Sequence, residues 1–270
     1  MNILFIGGGN MAAAIIGGLI AKGWQPRDMH AVDVLPEARA RLEQQFGIRT
    51  SADAVAAAAG ADCILLAVKP QQMREVAIAI APAIRTQLVI SIAAGIRCAD
   101  LARWLGATAA LVRAMPNTPA LVGSGITGLY AMPGVTEEGR RNAETILAAV
   151  GATFWVAGEP ALDAVTAVSG SGPAYVFYFM EGLEQAAREL GLPPAIARLS
   201  ALSTFSGAVK LALEDGADPA TLRARVTSRG GTTESAIAAL DADGVRAAFV
   251  RAVHAAARRA DEMGDTLGKD

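Results

Sequence analysis

The chain has 270 residues, of which 53% are hydrophobic and 19% charged, and its formal net charge is −2. That length holds one or two domains with a sizeable core, and the composition is that of a compact globular protein rather than a disordered one. Aromatic content is low and no basic stripe occurs, so nucleic-acid binding has no support and a small-molecule partner is expected.

The two cysteines, Cys63 and Cys98, lie in different segments and form no C-x-x-C pair. That usage fits a reducing cytosol and argues against a disulfide scaffold or a cysteine metal site. No charged segment precedes the first apolar run, so no signal peptide is expected. Apolar runs such as 54–59 and 63–68 stop well short of a bilayer's width, and no membrane span is expected.

Ile3 to Ile6 reads as a short buried strand, followed by the glycine-rich turn Gly7-Gly8-Gly9-Asn10-Met11 and an Ala-rich helix from Ala12 to Lys22. The pattern is G-x-G-x-x-A, carried by Gly7, Gly9 and Ala12. Gly7 makes the tight turn, Gly9 lets a pyrophosphate approach the backbone, and Ala12 lets helix and strand pack closely. The helix start then offers free amides and a positive dipole end to the phosphates. A plain glycine turn between strand and helix is the competing reading.

Met29 to Asp33 reads as a second strand. Asp33 falls near the place, about 20 residues beyond the glycine pattern, where a doubly wound fold sets a carboxylate on the adenosine ribose. A solvated aspartate at a strand end is the alternative. On the first reading Asp33 would repel a 2′-phosphate by about 4 kcal/mol at ~4 Å and an effective dielectric of ~20, before screening. Val34, Leu35 and Pro36 supply no arginine to offset it, so this position leans towards NADH over NADPH.

Pro36 to Phe46 has helical spacing and Gly47 ends it. Ile48 to Thr50 is a short strand, and Ser51 caps an Ala-rich helix through Ala59. Asp62 to Val68 is a continuous apolar strand with both faces covered, ending in Ala67-Val68-Lys69-Pro70 at a strand C-terminus where ligands bind in open sheets. Lys69 is there either beside the phosphates or ribose, or as an ordinary loop lysine. Alternation continues through a helix at 71–84, a strand at 88–92, a helix at 99–105 and a strand from Ala109 to Arg113. Met115-Pro116-Asn117-Thr118-Pro119 then reads as an extended loop whose asparagine either offers its amide to a ligand or only stiffens a turn. Strands at 126–130 and 153–156, flanking a helix at 136–150, complete an α/β domain over residues 1–159.

From Pro160 only helical spacing is present, at 172–190, 194–214, 218–227, 232–240 and 243–264, giving an all-α domain over 160–270. Its helices carry too few charges for five solitary surface helices, which favours burial against another subunit over a purely internal core. Two loops stand out. In Val168-Ser169-Gly170-Ser171-Gly172-Pro173-Ala174-Tyr175, Ser171 is placed as a helix N-cap, and the glycines allow close approach of a ligand. In Val226-Thr227-Ser228-Arg229-Gly230-Gly231-Thr232-Thr233-Glu234, two glycines and two threonines at a helix start form an anion nest suited to a carboxylate. Glu234 and Glu262 read as surface carboxylates.

His30 and His254 lack a local motif, no metal-ligand spacing occurs, and the segment from Tyr175 to Ala187 contains no lysine. Oxidising an alcohol needs a base for the hydroxyl proton. A protonated C=N is already electrophilic, so this inventory favours imine reduction.

Several segments, in series over nearly the full chain, resemble the pyrroline-5-carboxylate reductase family. They are Phe5-Ile6-Gly7-Gly8-Gly9-Asn10-Met11, Ala67-Val68-Lys69-Pro70, Ser91-Ile92-Ala93-Ala94-Gly95, Arg113-Ala114-Met115-Pro116-Asn117-Thr118-Pro119, Ser169-Gly170-Ser171-Gly172-Pro173-Ala174-Tyr175 and Gly230-Gly231-Thr232-Thr233. The glycine turn is generic; the last three segments in series are specific. The resemblance implies an N-terminal Rossmann domain, with a mostly parallel doubly wound sheet, and a C-terminal helical dimerisation domain. The resemblance further implies dimers interlocked through those helices, assembling further and commonly into decamers. It also implies cytoplasmic reduction of 1-pyrroline-5-carboxylate to L-proline, the final step of proline biosynthesis, by hydride transfer from NADPH or NADH to the C=N carbon, without a metal. Carried over by motif, Thr233 hydrogen-bonds the ring nitrogen and the amides of Gly230, Gly231, Thr232 and Thr233 hold the carboxylate. Ser171 lines the substrate pocket, Gly7 to Met11 bind the cofactor, Ala67, Val68 and Lys69 run along it, and Pro116 and Asn117 border the nicotinamide, while Asp33 joins the cofactor residues by its spacing from the glycine pattern alone.

Two departures stand out. Asp33-Val34 replaces the family's frequent Asn or Ser followed by Arg, and Ser228-Arg229-Gly230 replaces Ser-Pro-Gly, adding a positive charge near the nest. A β-hydroxyacid dehydrogenase would share the architecture but use a lysine on the first helix of its second domain, which the lysine-free segment from Tyr175 opposes. A non-enzymatic NAD(P) sensor would keep the glycine turn without needing the threonine nest.

Overall fold

A computed structural model describes residues 1–106 and 110–269. Met1–Ser171 together with Ala255–Asp270 form one compact unit, and Gly172–His254 form a second.

In the first unit β1 (Ile3–Ile6) leads to α1 (Asn10–Ala21), β2 (Met29–Val32) to α2 (Pro36–Phe46) and β3 (Arg49–Ser51) to α3 (Ala54–Ala58). Then come β4 (Cys63–Leu66), α4 (Pro70–Ile80), β5 (Leu88–Ser91), α5 (Cys98–Leu105) and β6 (Ala110–Met115). β7 (Gly125–Ala131), α6 (Glu137–Leu147), β8 (Gly151–Trp155) and α7 (Ala161–Val165) follow. The strands form one sheet in the order β3-β2-β1-β4-β5-β6-β7-β8, parallel throughout except for the antiparallel pair β6–β7. Chain order runs outward from β1 on one side and from β4 on the other, so the gap between them is the switch point of a doubly wound sheet.

β1 and β4 are apolar at every position because both faces are covered. Ile3, Phe5, Cys63 and Leu65 pack with Ile15, Ile16 and Leu19 of α1 and Ile146 of α6. Leu4, Ile6, Ile64 and Leu66 face the opposite side, with Met73, Ala77 and Ile80 of α4 and Leu101 of α5. Both cysteines are buried and unpaired, and burial pushes both thiols far above their ordinary range.

Several local expectations are corrected. Asp53, not Ser51, caps α3: its Oδ1 accepts from the amides of Val55 and Ala56, both at 3.0 Å, while Ser51 completes β3. A carboxylate set directly before the helix outcompetes a hydroxyl two residues earlier. Thr118–Val122 winds into a short 3-10 helix where an extended loop is expected. The predicted strand start at Ala109 lies outside the described residues; β6 is described from Ala110.

The largest departure follows α7. Thr166–Gly170 is a π turn, closed by Ser171 N–H donating to the Thr166 carbonyl at 2.8 Å, where a loop is expected. Ser171 itself has helical φ and ψ of −82° and −18°, so it is part of a helical path and not an extended N-cap.

The sequence boundary at 159–160 precedes α7, whereas the compact units divide at 171–172 and return the last stretch of chain to the sheet. Arg97 holds that stretch, pairing with Asp261 at 2.8 Å and Asp265 at 2.7 Å. A Cβ on Gly95 would stand 3.0 Å from both Met263 and Leu267, so the loop before α5 is fitted to the same helix.

The second unit holds α8 (Gly172–Glu189), α9 (Pro194–Asp215), α10 (Pro219–Arg225), α11 (Thr232–Ala242) and the first part of α12 (Val245–Leu267). Tyr175 and Phe179 of α8 each meet the Phe249 ring of α12 edge-on at 5.6 Å. Phe177, Tyr178, Leu199, Leu211 and Leu213 are exposed. α9, 22 residues long, is apolar enough by length and composition to cross a membrane, which the shorter runs weighed from sequence did not raise.

Arg113 of β6 is 3% exposed and pairs with Glu159 at 3.0 Å and Asp163 at 3.6 Å. Glu159 also accepts the Cys98 amide at 2.7 Å, which joins the start of α5 to the network. Burial raises the Asp163 pKa against the opposing pull of Arg113. Arg113→Met leaves both carboxylates beside an uncompensated pocket and should cost about 3 kcal/mol. The denaturant midpoint at fixed protein concentration reads this; an unchanged midpoint would remove the network from the sources of stability.

Candidate active site

The C-terminal ends of β1, β2 and β4 bring the first set of predicted residues together. Gly7 has φ +101°, its amide donates to the Val32 carbonyl at 2.8 Å, and a Cβ built on it would stand 2.7 Å from the Ala67 carbonyl oxygen. Both the backbone angle and the close approach of the β4 end demand glycine here. Gly8 is also confined, since a Cβ would lie 3.0 Å from Leu42 and 3.3 Å from the Asp33 carboxylate. Gly9 differs: its Cβ would meet nothing within 4 Å. It is the N-cap residue of α1 with no side chain capping the helix, so the first-turn amides at Asn10 and Met11 stand at an open face. This uncapped helix start behind an open glycine is what a dinucleotide pyrophosphate requires.

Asp33 follows β2 and is already engaged. Its Oδ2 accepts from the Gly8 amide at 2.7 Å and its Oδ1 from the Leu35 amide at 2.9 Å. Two arginines of α2 also reach this turn. Arg39 Nη1 donates to the carbonyls of Asp33 at 2.7 Å and Val34 at 3.2 Å, and Arg41 Nη2 donates to the Gly8 carbonyl at 2.7 Å. Residues 34–36 carry no arginine, but Arg39 and Arg41, three and five residues beyond Pro36, reach the turn from α2. Ala67 and Val68 are half-buried beside Gly7, and Lys69 is exposed at the N-cap of α4.

Pro116 and Asn117 lie beyond β6 at the same edge of the sheet, both buried. The Asn117 side chain is committed to the backbone: Nδ2 donates to the Ser169 carbonyl at 3.0 Å and Oδ1 accepts from the Ile126 amide at 2.9 Å. A buried amide must find such partners, so Asn117 clamps the π turn to the end of β6 and brings Ser171, half-buried, into the same unit. Gly170 gives Met115 room, since a Cβ there would lie 2.8 Å from its terminal methyl, while Gly172 faces open space. Of the two glycines read as ligand clearance, one accommodates the protein's own side chain.

In the second unit the Gly230–Thr233 turn is narrower as an anion site than the sequence suggests. The Gly230 amide donates to Glu234 Oε2 at 2.6 Å and the Gly231 amide to the Ser228 carbonyl at 3.0 Å. The Thr232 and Thr233 amides remain, in the first turn of α11, and no side chain caps that helix. Thr232 is exposed and Thr233 half-buried. Glu234, read as a surface carboxylate, is exposed but holds the turn. His30 pairs with Ser51 at 2.9 Å, and burial followed by the Arg49 charge lowers its pKa. Among the described residues no group of three His, Cys, Asp or Glu side chains is placed to hold a metal ion.

The arrangement matches known proteins over its whole length. Residues 159–263 match the family model described as pyrroline-5-carboxylate reductase dimerisation, and residues 2–95 match NADP oxidoreductase coenzyme F420-dependent. A pyrroline-5-carboxylate reductase of Pseudomonas aeruginosa is 46% identical over 269 residues, covering 99% of this chain and 98% of that protein. The structure of a pyrroline-5-carboxylate reductase from Coxiella burnetii superposes with a TM-score of 0.92 at 41% identity, covering 97% of this chain and 98% of the other. That of Plasmodium falciparum pyrroline carboxylate reductase, with NADP bound, gives 0.88 at 26% identity and 98% coverage of both chains. The doubly wound sheet, the open glycine turn and these full-length likenesses agree: the chain belongs to the pyrroline-5-carboxylate reductase family, nicotinamide-dependent oxidoreductases that reduce 1-pyrroline-5-carboxylate to proline.

Proposed function

We propose that in this chain the reduction is carried by Thr233, with the substrate carboxylate on the amides of Thr232 and Thr233 and with Ser171 lining the pocket. The uncapped start of α11, with two threonines in its first turn, is the observation that carries this reading. A nicotinamide cofactor, when bound, supplies a hydride to the C=N carbon. As the π pair of that bond moves onto nitrogen, the Thr233 hydroxyl donates to the developing lone pair and keeps the ring oriented. The ring nitrogen keeps the proton that made the substrate electrophilic, so no titrating side chain has to deliver one. Glu234 keeps the Gly230 amide occupied, which steers the carboxylate to the helix start.

Gly7 to Met11 hold the pyrophosphate, Ala67 to Lys69 run along the cofactor, and Pro116 and Asn117 border the nicotinamide, the latter through the backbone its side chain fixes. Asp33 takes the ribose hydroxyls and by its charge leans towards NADH. A second copy of the chain covers the exposed apolar helices of the second unit, α9 among them, which the match to a dimerisation model supports. Such dimers assemble further, up to a decamer, and act in the cytoplasm on 1-pyrroline-5-carboxylate, without metal, membrane or nucleic acid.

Thr233→Ala should lower kcat by roughly 10²-fold with little change in NAD(P)H affinity. Steady-state rates beside coenzyme titrations read the two separately, and undiminished turnover takes Thr233 out of the mechanism. Asp33→Ser should raise the ratio of kcat/KM for NADPH to that for NADH; a ratio that stays put would mean Asp33 does not face the ribose.

A further inference from the structure

Both guanidinium groups of α2 are held beside the glycine turn by only part of their donor set. Arg39 uses Nη1 on the two carbonyls that follow β2, which leaves its Nε and Nη2 hydrogens. Arg41 uses Nη2 on the carbonyl of Gly8, the turn residue whose amide donates to Asp33. Among the described residues neither side chain forms an ion pair with a carboxylate. Glu37 and Glu43 lie on the same helix without an ion pair to either guanidinium, and Asp33, at the turn itself, accepts two backbone amides. Arginine that is anchored at one end and unpaired at the other presents a planar fork suited to a phosphate.

The chemistry of that spot selects the occupant. A ribose at the end of β2 presents its 2′ position beside Asp33, and the two coenzymes differ only by a phosphate there. We infer that Arg39 and Arg41 form a guanidinium pair that receives the 2′-phosphate of NADPH, so that this chain admits NADPH despite the aspartate. The inference rests on the cofactor lying across the glycine turn. At the turn the two guanidinium groups face a carboxylate whose oxygens already accept amides, so Asp33 and the pair pull the preference in opposite directions.

Fluorescence titration of the unmodified protein with NADH and NADPH, and displacement of bound NADPH by 2′,5′-ADP or 5′-AMP, test this without a reaction. We expect 2′,5′-ADP to displace about tenfold better than 5′-AMP, a preference that weakens as salt rises. In Arg39→Gln and Arg41→Gln, NADPH affinity should fall about tenfold relative to NADH, one charge-assisted contact being lost in each. Equal displacement by both nucleotides, or variants that lose NADH and NADPH affinity in parallel, would overturn the pair as a phosphate site and leave it holding the turn. Failure of the unmodified protein to bind either coenzyme would instead sink the placement of the cofactor on the glycine turn, and this inference with it.

Discussion

The structure depends on the approach of two strand ends at the switch point. Gly7 and Ala67 come so close that any side chain on Gly7 would collide with a carbonyl. This contact fixes where β1 stops and therefore where α1 begins, with its amides facing outward over Gly9. The Gly7 amide is meanwhile bonded to Val32, which ties the turn to the neighbouring strand as well. From this point the Asp33 carboxylate bonds Gly8 from one side while Arg41 holds the same residue's carbonyl. One glycine turn is thus fastened to β4, β2 and α2 by its own contacts, independent of any ligand.

The second unit is organised by a different constraint. Its helices bury few of their large apolar side chains among themselves, although Tyr175, Phe179 and Phe249 form an aromatic cluster. Water-facing leucines and phenylalanines on this scale are costly for a protein that stays alone. The same feature makes α9 resemble a membrane helix by composition. A dimerisation fold accounts for both observations: apolar composition is retained because the surface that it covers belongs to another copy.

Much of this was legible in the sequence. Strand–turn–helix at Ile3 to Ala12, the boundaries of α2 and the change to helices after residue 160 all follow from periodicity and glycine placement. What stayed hidden has common causes. The π turn at Thr166–Gly170 has no periodicity of its own, and its glycines look like those of a loop. Arg39 and Arg41 are ordinary helix residues in sequence; only the reach of their side chains to the turn carbonyls gives them meaning. Glu234 and Asn117 were visible, but whether a polar group serves a ligand or its own backbone depends on which amides lie within reach. Sequence shows which residues can bond, and packing decides what is left over for a substrate.

That leftover set explains why so little acid–base machinery is needed. Burial shifts Cys63, Cys98 and Asp163, which belong to the sheet core and to the Arg113 network, where they serve packing. The residues proposed to face the substrate, Ser171, Thr232 and Thr233, instead offer amides and hydroxyls, which carry no titrating charge. A cyclic imine arrives with its own proton and its own carboxylate, so it needs orientation and a hydrogen bond to nitrogen more than a tuned base. An uncapped helix start such as that at Thr232–Thr233 suits such orientation, since amides cannot lose their donor character with pH. A fold that commits its carboxylates to structure and leaves backbone amides exposed at two helix starts is therefore suited to hydride addition across a C=N bond, and poorly suited to removing a proton from an alcohol.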